Sequence, residues 1–363
     1  MVSLRVILVS IAWMLLHVCA PADAHPVPFS YIDIRLQITA AELTVVVHTF
    51  DAAHDLNVQP PEILLEPPTL ASYAGRLGAM VETRLQLVVD GRPITTVTWS
   101  PPEPLPDRQS IRLRARYDLT APPGRLAVTA VMFPYDANHK TFLNFYENEA
   151  VAAQGILDKD RTQFEYFPGT RQGVQAVLQK FVTSGVHHIL IGPDHLLFLV
   201  GLLLMGGSIR QLLMVVTAFT IAHSITLSLA ALNLVLPPAA LIEPAIALSV
   251  VYVGADNLLV SGGRDMRAWI AFAFGLIHGF GFANVLREMD LPSRALGWTL
   301  FGFNIGVEMG QLIVVVVVAS VLAWIRSRSE AAGRRLAFAG SIVVITAGAF
   351  WFVQRVFFSG GTA

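Results

Sequence analysis

Residues 186–205, 212–232, 241–260, 269–286, 298–325 and 336–358 form six strongly apolar stretches separated by short polar breaks. A helix rises 1.5 Å per residue, so about 20 residues cross the roughly 30 Å of bilayer hydrocarbon. No water reaches backbone groups in that layer, so each stretch must satisfy its own N–H and C=O groups, as a helix does. The sequence therefore predicts a membrane protein, with an all-α polytopic bundle of six transmembrane helices over residues 186–358. The charge content agrees: 14% of residues are charged, against roughly 25% in an average soluble chain. A net charge of -1 lacks the basic footprint of a nucleic-acid binder.

The first half of the chain reads differently. Residues 1–24 carry Arg5, an apolar run over 6–16 and Ala22-Asp23-Ala24, the pattern of a cleaved signal peptide. Cys19, the single cysteine, lies in it, so disulfides, thiolate metal sites and cysteine nucleophiles are excluded from the processed chain. Residues 25–167 are expected to form an extracytoplasmic β-sandwich domain. Alternating apolar stretches at 31–38, 43–50, 85–89, 94–99, 111–117 and 126–133 read as half-buried strands. Asp90-Gly91 is a hairpin signal, and one helix is predicted over 69–80. Residues 168–185 are a linker with a pre-membrane helix over 171–180, and residues 359–363 a short outer tail.

Arginine placement sets the expected orientation. An exported N-terminal domain puts Arg210, Arg264, Arg267, Arg326, Arg328, Arg334 and Arg335 inside, and Arg287, Arg294 and Arg355 outside. That bias follows the positive-inside rule. It places both the N-terminal domain and the C-terminus on the outer side.

Ionisable residues within membrane helices are costly and point to a functional site. His188, Asp194, His195, His223, His278 and Glu308 all occur in the apolar stretches. Counted from the outer ends, Asp194, His195, His223, His278 and Glu308 fall at roughly 12–15 Å depth, near the bilayer midplane. Four helices thus offer imidazole and carboxylate donors in one layer, as a buried divalent-metal site requires. Imidazole suits nickel, cobalt, copper and zinc, whereas magnesium and calcium prefer oxygen alone. Without thiolates, the mixed set fits nickel(II) or cobalt(II) best, with copper or zinc compatible. His188 and His195, seven residues apart, are expected two turns apart on one helix face, as outer and inner stops on one path. Asn304, Glu308 and Gln311 share a helix face and read, with Asp256, as pathway lining; for Asp256 and Glu243, capping or packing is an equal reading. Gly192-Pro193 should kink or break the first span. Gly302, Gly306 and Gly310, like Gly275 and Gly279, allow close helix approach. A second metal site is conceivable in the exported domain: after cleavage His25 offers its amine and ring nitrogen, completed by His139, His48 or His54.

Four runs together resemble the HupE/UreJ family. They are His188-x5-Asp194-His195, Thr-Ala-Phe-Thr-Ile-Ala-His223-Ser-Ile-Thr-Leu, Gly-Leu-Ile-His278-Gly-Phe-Gly-Phe-Ala, and Phe-Asn304-Ile-Gly-Val-Glu308-Met-Gly-Gln. The resemblance covers residues 183–317. It implies a nickel permease or accessory nickel protein tied to hydrogenase and urease, with His188, Asp194 and His195 as metal-recognition residues. The first run also resembles the H-x4-D-H signature of nickel–cobalt transporters, with one extra spacer residue. The exported N-terminal domain departs from the short family pattern.

The expected function is therefore a divalent-metal permease, with the ion as cargo and the outer domain capturing or delivering it. Two alternatives stay open: a non-transporting metal-binding factor for metalloenzyme assembly, and an intramembrane zinc hydrolase. The second lacks an H-E-x-x-H motif, and an enzyme is not expected. No P-loop is present, so any transport draws on a gradient or a partner. Expected partners are the metal ion and the bilayer; maturation proteins for metalloenzymes and a homo-oligomer are left open.

Overall fold

The computed structural model describes residues 29–259, 265–282 and 293–358. The expected signal peptide, Cys19, His25, Arg264, Arg287 and the 359–363 tail lie outside the described residues, as does the side chain of Arg294.

The N-terminal part is a β-sheet domain. Its larger sheet has seven strands: β1 (Phe29–Leu36), β2 (Ala40–His48), β5 (Thr98–Trp99), β6 (Glu103–Leu105), β7 (Ser110–Asp118), β9 (Lys140–Glu147) and β10 (Ala150–Leu157). The order is β10-β9-β1-β2-β7-β5, with β6 also on β7. All pairs are antiparallel except β1 with β9, which run parallel in the register Phe29↔Lys140 to Leu36↔Glu147. The smaller sheet is β11-β8-β3-β4, from Gln163–Tyr166, Leu126–Ala130, Leu85–Val89 and Arg92–Pro93. Alternation drives the packing: Ser30, Ile32 and Ile34 of β1 are buried, whereas Tyr31 points out. The two sheets share one apolar core. Phe145 of β9 stacks on Tyr166 of β11 with ring centroids 4.4 Å apart.

Asp90 and Gly91 adopt φ of 50° and 82° in the β3–β4 hairpin, a backbone that favours Asp-Gly. Elsewhere the strands depart from expectation. The 94–99 stretch is reduced to Thr98–Trp99. The 43–50 stretch ends at His48, whose ring accepts the Phe50 N–H (3.2 Å) and starts helix α1 (Thr49–Leu56). The helix expected over 69–80 is two, α2 (Pro67–Ser72) and α3 (Ala74–Arg84). Strand β9 escaped the alternation test because apolar residues occupy both faces. Leu143 and Phe145 enter the core, while Phe142 lies against Tyr31 on the outer face (5.3 Å).

The C-terminal part is helical: α4 (Arg171–Ile191), α5 (Pro193–Leu203), α6 (Ile209–Ala231), α7 (Ala239–Leu259), α8 (Arg267–Gly281), α9 (Ser293–Arg328) and α10 (Glu330–Phe357). Among the described residues, α6, α7, α9 and α10 are long and apolar enough to span a membrane, and the bent pair α4–α5 makes a fifth candidate. Four of the six expected spans are thus present as single helices among the described residues, and the first as a bent pair. The described part of α8 has 15 residues. The first expected span, 186–205, is broken at Gly192 with a 69° bend between α4 and α5. Pro193 has no N–H to continue the ladder, and a Cβ at Gly192 would lie 2.7 Å from the His188 carbonyl oxygen. The expected pre-membrane helix over 171–180 is the N-terminal half of α4, where Lys180 pairs with Glu165 of β11.

Arginines mark the two ends of the bundle. Arg267, at the start of α8, donates to the carbonyls of Leu202 (3.0 Å) and Gly206 (2.5 Å). Arg326, near the end of α9, donates to those of Leu204 (2.6 Å) and Met205 (3.2 Å). Both close the C-terminal end of α5, whose carbonyls have no helical partners. At the opposite end, Arg355 of α10 reaches Asp194 at the start of α5 and the Glu243 carbonyl at the start of α7.

Candidate metal centre

The break at Gly192 creates the site. His188 occupies the last turn of α4 and His195 the first turn of α5. In an unbroken helix they would stand about 10 Å apart along the axis. The bend brings their ring centroids to 4.6 Å. His223 enters from the middle of α6, its ring 6.4 Å from that of His188 and 6.3 Å from that of His195. One ring nitrogen from each of the three lies within 4.8 Å of the other two. The sequence expectation of two successive stops at His188 and His195 therefore gives way to one shared site.

Hydrogen bonding decides which nitrogens are free. The Nε2 atoms of His188, His195 and His223 are buried and have no hydrogen-bond partner. Asn304 of α9 donates its amide N–H to the Leu300 carbonyl (2.8 Å), so its Oδ1 faces His223 Nδ1 at 3.3 Å. That oxygen accepts the Nδ1 proton, which leaves the His223 Nε2 lone pair free. A carbonyl-oriented imidazole of this kind is a recurrent support for metal ligands. Three bare nitrogens in one buried place would each cost about 1–3 kcal/mol if nothing ever met them. A cation that accepts lone pairs removes that cost.

His278 of α8 extends the cluster. Its ring centroid is 4.9 Å from that of His195. Ser249 of α7 donates its hydroxyl to the Ile246 carbonyl (2.6 Å) and can therefore accept the His278 Nε2 proton (2.9 Å). His278 Nδ1 is left buried and unpartnered. Phe282 and Phe303 stack at 4.5 Å and cover His188, with ring centroids 4.6 and 5.4 Å from it.

The carboxylates expected here stand slightly apart. Asp194 Oδ2 accepts from Arg355 at 2.7 Å, while its Oδ1 is buried without a partner. Glu308 Oε1 accepts from Thr217 of α6 at 2.9 Å. Gln311 Oε1 accepts from Thr220 at 2.9 Å. Asn304, Glu308 and Gln311 of α9 thus form a polar seam with His223, Thr217 and Thr220 of α6. Glu308 and Gln311 meet α6 on the arginine-closed side of His223. Asp256 is seven residues, about 10 Å along α7, beyond Ser249 and is not brought to the histidines. Ser249, Thr217 and Thr220 went unread as site residues. A hydroxyl in a membrane helix usually bonds its own backbone, so sequence alone gives it no partner.

The second site suggested for the β domain rests on His25, which lies outside the described residues. Among the described residues, the three-histidine group is the one cluster with metal-ligand spacing. His48 caps α1, and His54 stacks on Tyr135 at 3.8 Å. His139 is 6% exposed, holds Ser30 Oγ through Nε2 (2.9 Å) and packs edge-on against Phe133. Burial lowers its pKa below the ordinary imidazole value, against the pull of Asp51 and Asp136. Burial likewise raises the Tyr135 hydroxyl, helped by its 2.5 Å hydrogen bond to Asp51.

A family model described as HupE / UreJ protein matches residues 168–355, more than half of the chain. The chain belongs to the HupE/UreJ family. The match runs from the turn before α4 to Arg355 and so includes every histidine of the cluster. No curated protein and no solved structure matches the chain. In this HupE/UreJ protein the family region is a multi-pass membrane unit holding a buried histidine triad able to bind a metal ion, with a β-sheet domain in front of it.

Proposed function

We propose that this chain is a divalent transition-metal permease whose cargo, nickel(II) or cobalt(II), is held by His188, His195 and His223, with His278 as a further donor. The observation that carries this reading is three histidines from three helical segments, each with a ring nitrogen within 4.8 Å of the other two and each with a buried, unpartnered Nε2. Ligands at about 2.0–2.1 Å from an ion stand roughly 3.4 Å from one another, so each ring need shift by only an ångström or so. Asp194 and Glu308 flank the imidazoles and supply the negative charge that a dication needs in a low-dielectric layer. The α6–α9 seam through Thr217 and Glu308 offers oxygen donors toward the arginine-closed end.

Six crossings fit this arrangement. Helix α8 leaves the arginine-closed end at Arg267 and α9 returns to it at Arg326, so α8 serves as the fourth crossing. The positive-inside rule then places that end in the cytoplasm and the β domain, a two-sheet sandwich, outside. There it would capture the ion or deliver it.

The test is uptake into proteoliposomes of nickel, cobalt, copper and zinc. His195→Ala and His223→Ala should each lower nickel or cobalt uptake at least tenfold and remove bound metal from the purified protein. Unchanged uptake in both variants overturns the reading. Metal binding that depends on the histidines without any flux would instead identify an accessory metal-binding protein.

A further inference from the structure

Asp194 and Arg355 form an ion pair at 2.7 Å beside the histidine cluster. It joins residues 161 positions apart, from the first turn of α5 and the last turn of α10. Both side chains are mostly buried, at 18% and 21% exposure. Asp194 directly precedes His195, and only one of its oxygens is used; Oδ1 is buried and free. Arg355 has a second acceptor, the Glu243 carbonyl at 3.1 Å, and a cation is favoured at the C-terminal end of its helix. The guanidinium thus has a place to remain if the carboxylate leaves it.

We propose that Arg355 is a tethered counter-cation that neutralises Asp194 while the site holds no ion and yields the carboxylate to an arriving dication. This rests on the reading of the histidine cluster as the cargo site. Its consequence is charge selection. The guanidinium is charged at every accessible pH, so paired with the Asp194 carboxylate it leaves no net charge there. A monovalent ion that displaces Arg355 from Asp194 replaces one positive charge with another and gains little. A divalent ion brings twice the charge to the same carboxylate, and in a low-dielectric site that difference is large. Arg355 therefore sets a threshold that a monovalent ion does not clear, without itself being a ligand.

The experiment titrates full-length protein in detergent with nickel(II) and with silver(I), a monovalent ion that also binds imidazole. Arg355→Gln should bind nickel at least tenfold more tightly than wild type and should bring silver binding up by a similar factor, because the cost of displacing the guanidinium disappears for both ions. Asp194→Asn leaves the guanidinium unneutralised beside the site and should weaken nickel binding at least tenfold. Removing both charges, in Asp194→Asn with Arg355→Gln, should recover severalfold of that loss. The double variant leaves no lone buried charge, so it decides the matter even where Arg355→Gln alone does not fold. A double variant that binds no better than Asp194→Asn overturns the inference and leaves Arg355 a plain helix tether, as does a folded Arg355→Gln protein that binds nickel no tighter than wild type. Wild-type protein that binds neither ion overturns the cargo-site reading itself.

Discussion

Asn304 shows how a residue that need not touch an ion can govern it. Its amide is fixed by the Leu300 carbonyl, and its Oδ1 holds the proton of His223 on Nδ1. An Asn304→Leu substitution removes that restraint with a branched side chain of similar shape that carries no polar atom. Loss of such supporting groups typically costs 10- to 100-fold in metal affinity. Competition with a coloured chelator should show a nickel affinity lower by about that factor, with the melting temperature of the metal-free protein little changed; an unaltered affinity would disprove the tautomer assignment. His139 carries a different prediction. Its folded pKa is depressed by burial among Phe133, Ser30 and the charged groups Asp51, Asp136 and Arg84. The unfolded chain therefore takes up a proton near pH 6.5 while the folded chain does not. The stability from neutral His139 is complete above that pH and drains away as pH falls toward the depressed folded value. Wild-type protein should lose melting temperature between pH 7 and pH 5, and His139→Gln should flatten that slope.

At the level of elements, the packing of α4 on α9 is the part most exposed to a small change. Gly185 and Gly306 face each other so closely that a Cβ on Gly306 would strike the Val182 carbonyl oxygen, and one on Gly185 that of Phe303. Because the obstacle is backbone, Gly306→Ala must push the helices apart; overpacking of this kind costs about 1–3 kcal/mol. Gly297 lies on the same helix with nothing within 4 Å of an added Cβ. Gly297→Ala should leave stability unchanged or raise it by up to about 1 kcal/mol through helix propensity. Thermal unfolding in detergent should separate the two, and equal effects would refute the contact. The glycine spacing was legible in the sequence, as were the polar layer and the Gly192-Pro193 break. The consequence of the break was not. Counting along one helix gave His188 and His195 separate depths, because residue number carries no information on the direction or size of a bend; packing sets the 69°. For the same reason the partner of Asp194 was hidden: Arg355 arrives from the far end of the chain and looked only like a flanking charge. Strand β9 was hidden by a simpler cause, since Phe142 and Phe145 on opposite faces erase the alternation that marks a half-buried strand.

For the molecule as a whole, the question with most consequence is parity. If α4–α5, α6, α7, α8, α9 and α10 all cross, the β domain and Phe358 lie on the same side; if α8 does not, they lie on opposite sides. The arginine bonds argue for six. Arg267 opens α8 and Arg326 nears the end of α9 at the same α5 terminus, so the chain between them must travel out and return. A single-cysteine set can read the answer, since Cys19 is the one native cysteine and can be changed to serine. Asn148→Cys stands at the exposed β9–β10 turn, Ala331→Cys just inside the exposed start of α10, and Phe358→Cys just after that helix ends. A membrane-impermeant maleimide added to intact cells stripped of any outer barrier should label Asn148→Cys and Phe358→Cys at once. Ala331→Cys, beside Arg326, Arg328, Arg334 and Arg335, should react only after the membrane is opened. Labelling of Asn148→Cys without Phe358→Cys would mean five crossings and would leave α8, with His278, as a segment dipping into the bundle. Immediate labelling of Ala331→Cys would reverse the orientation and with it the direction in which the β domain could hand over an ion.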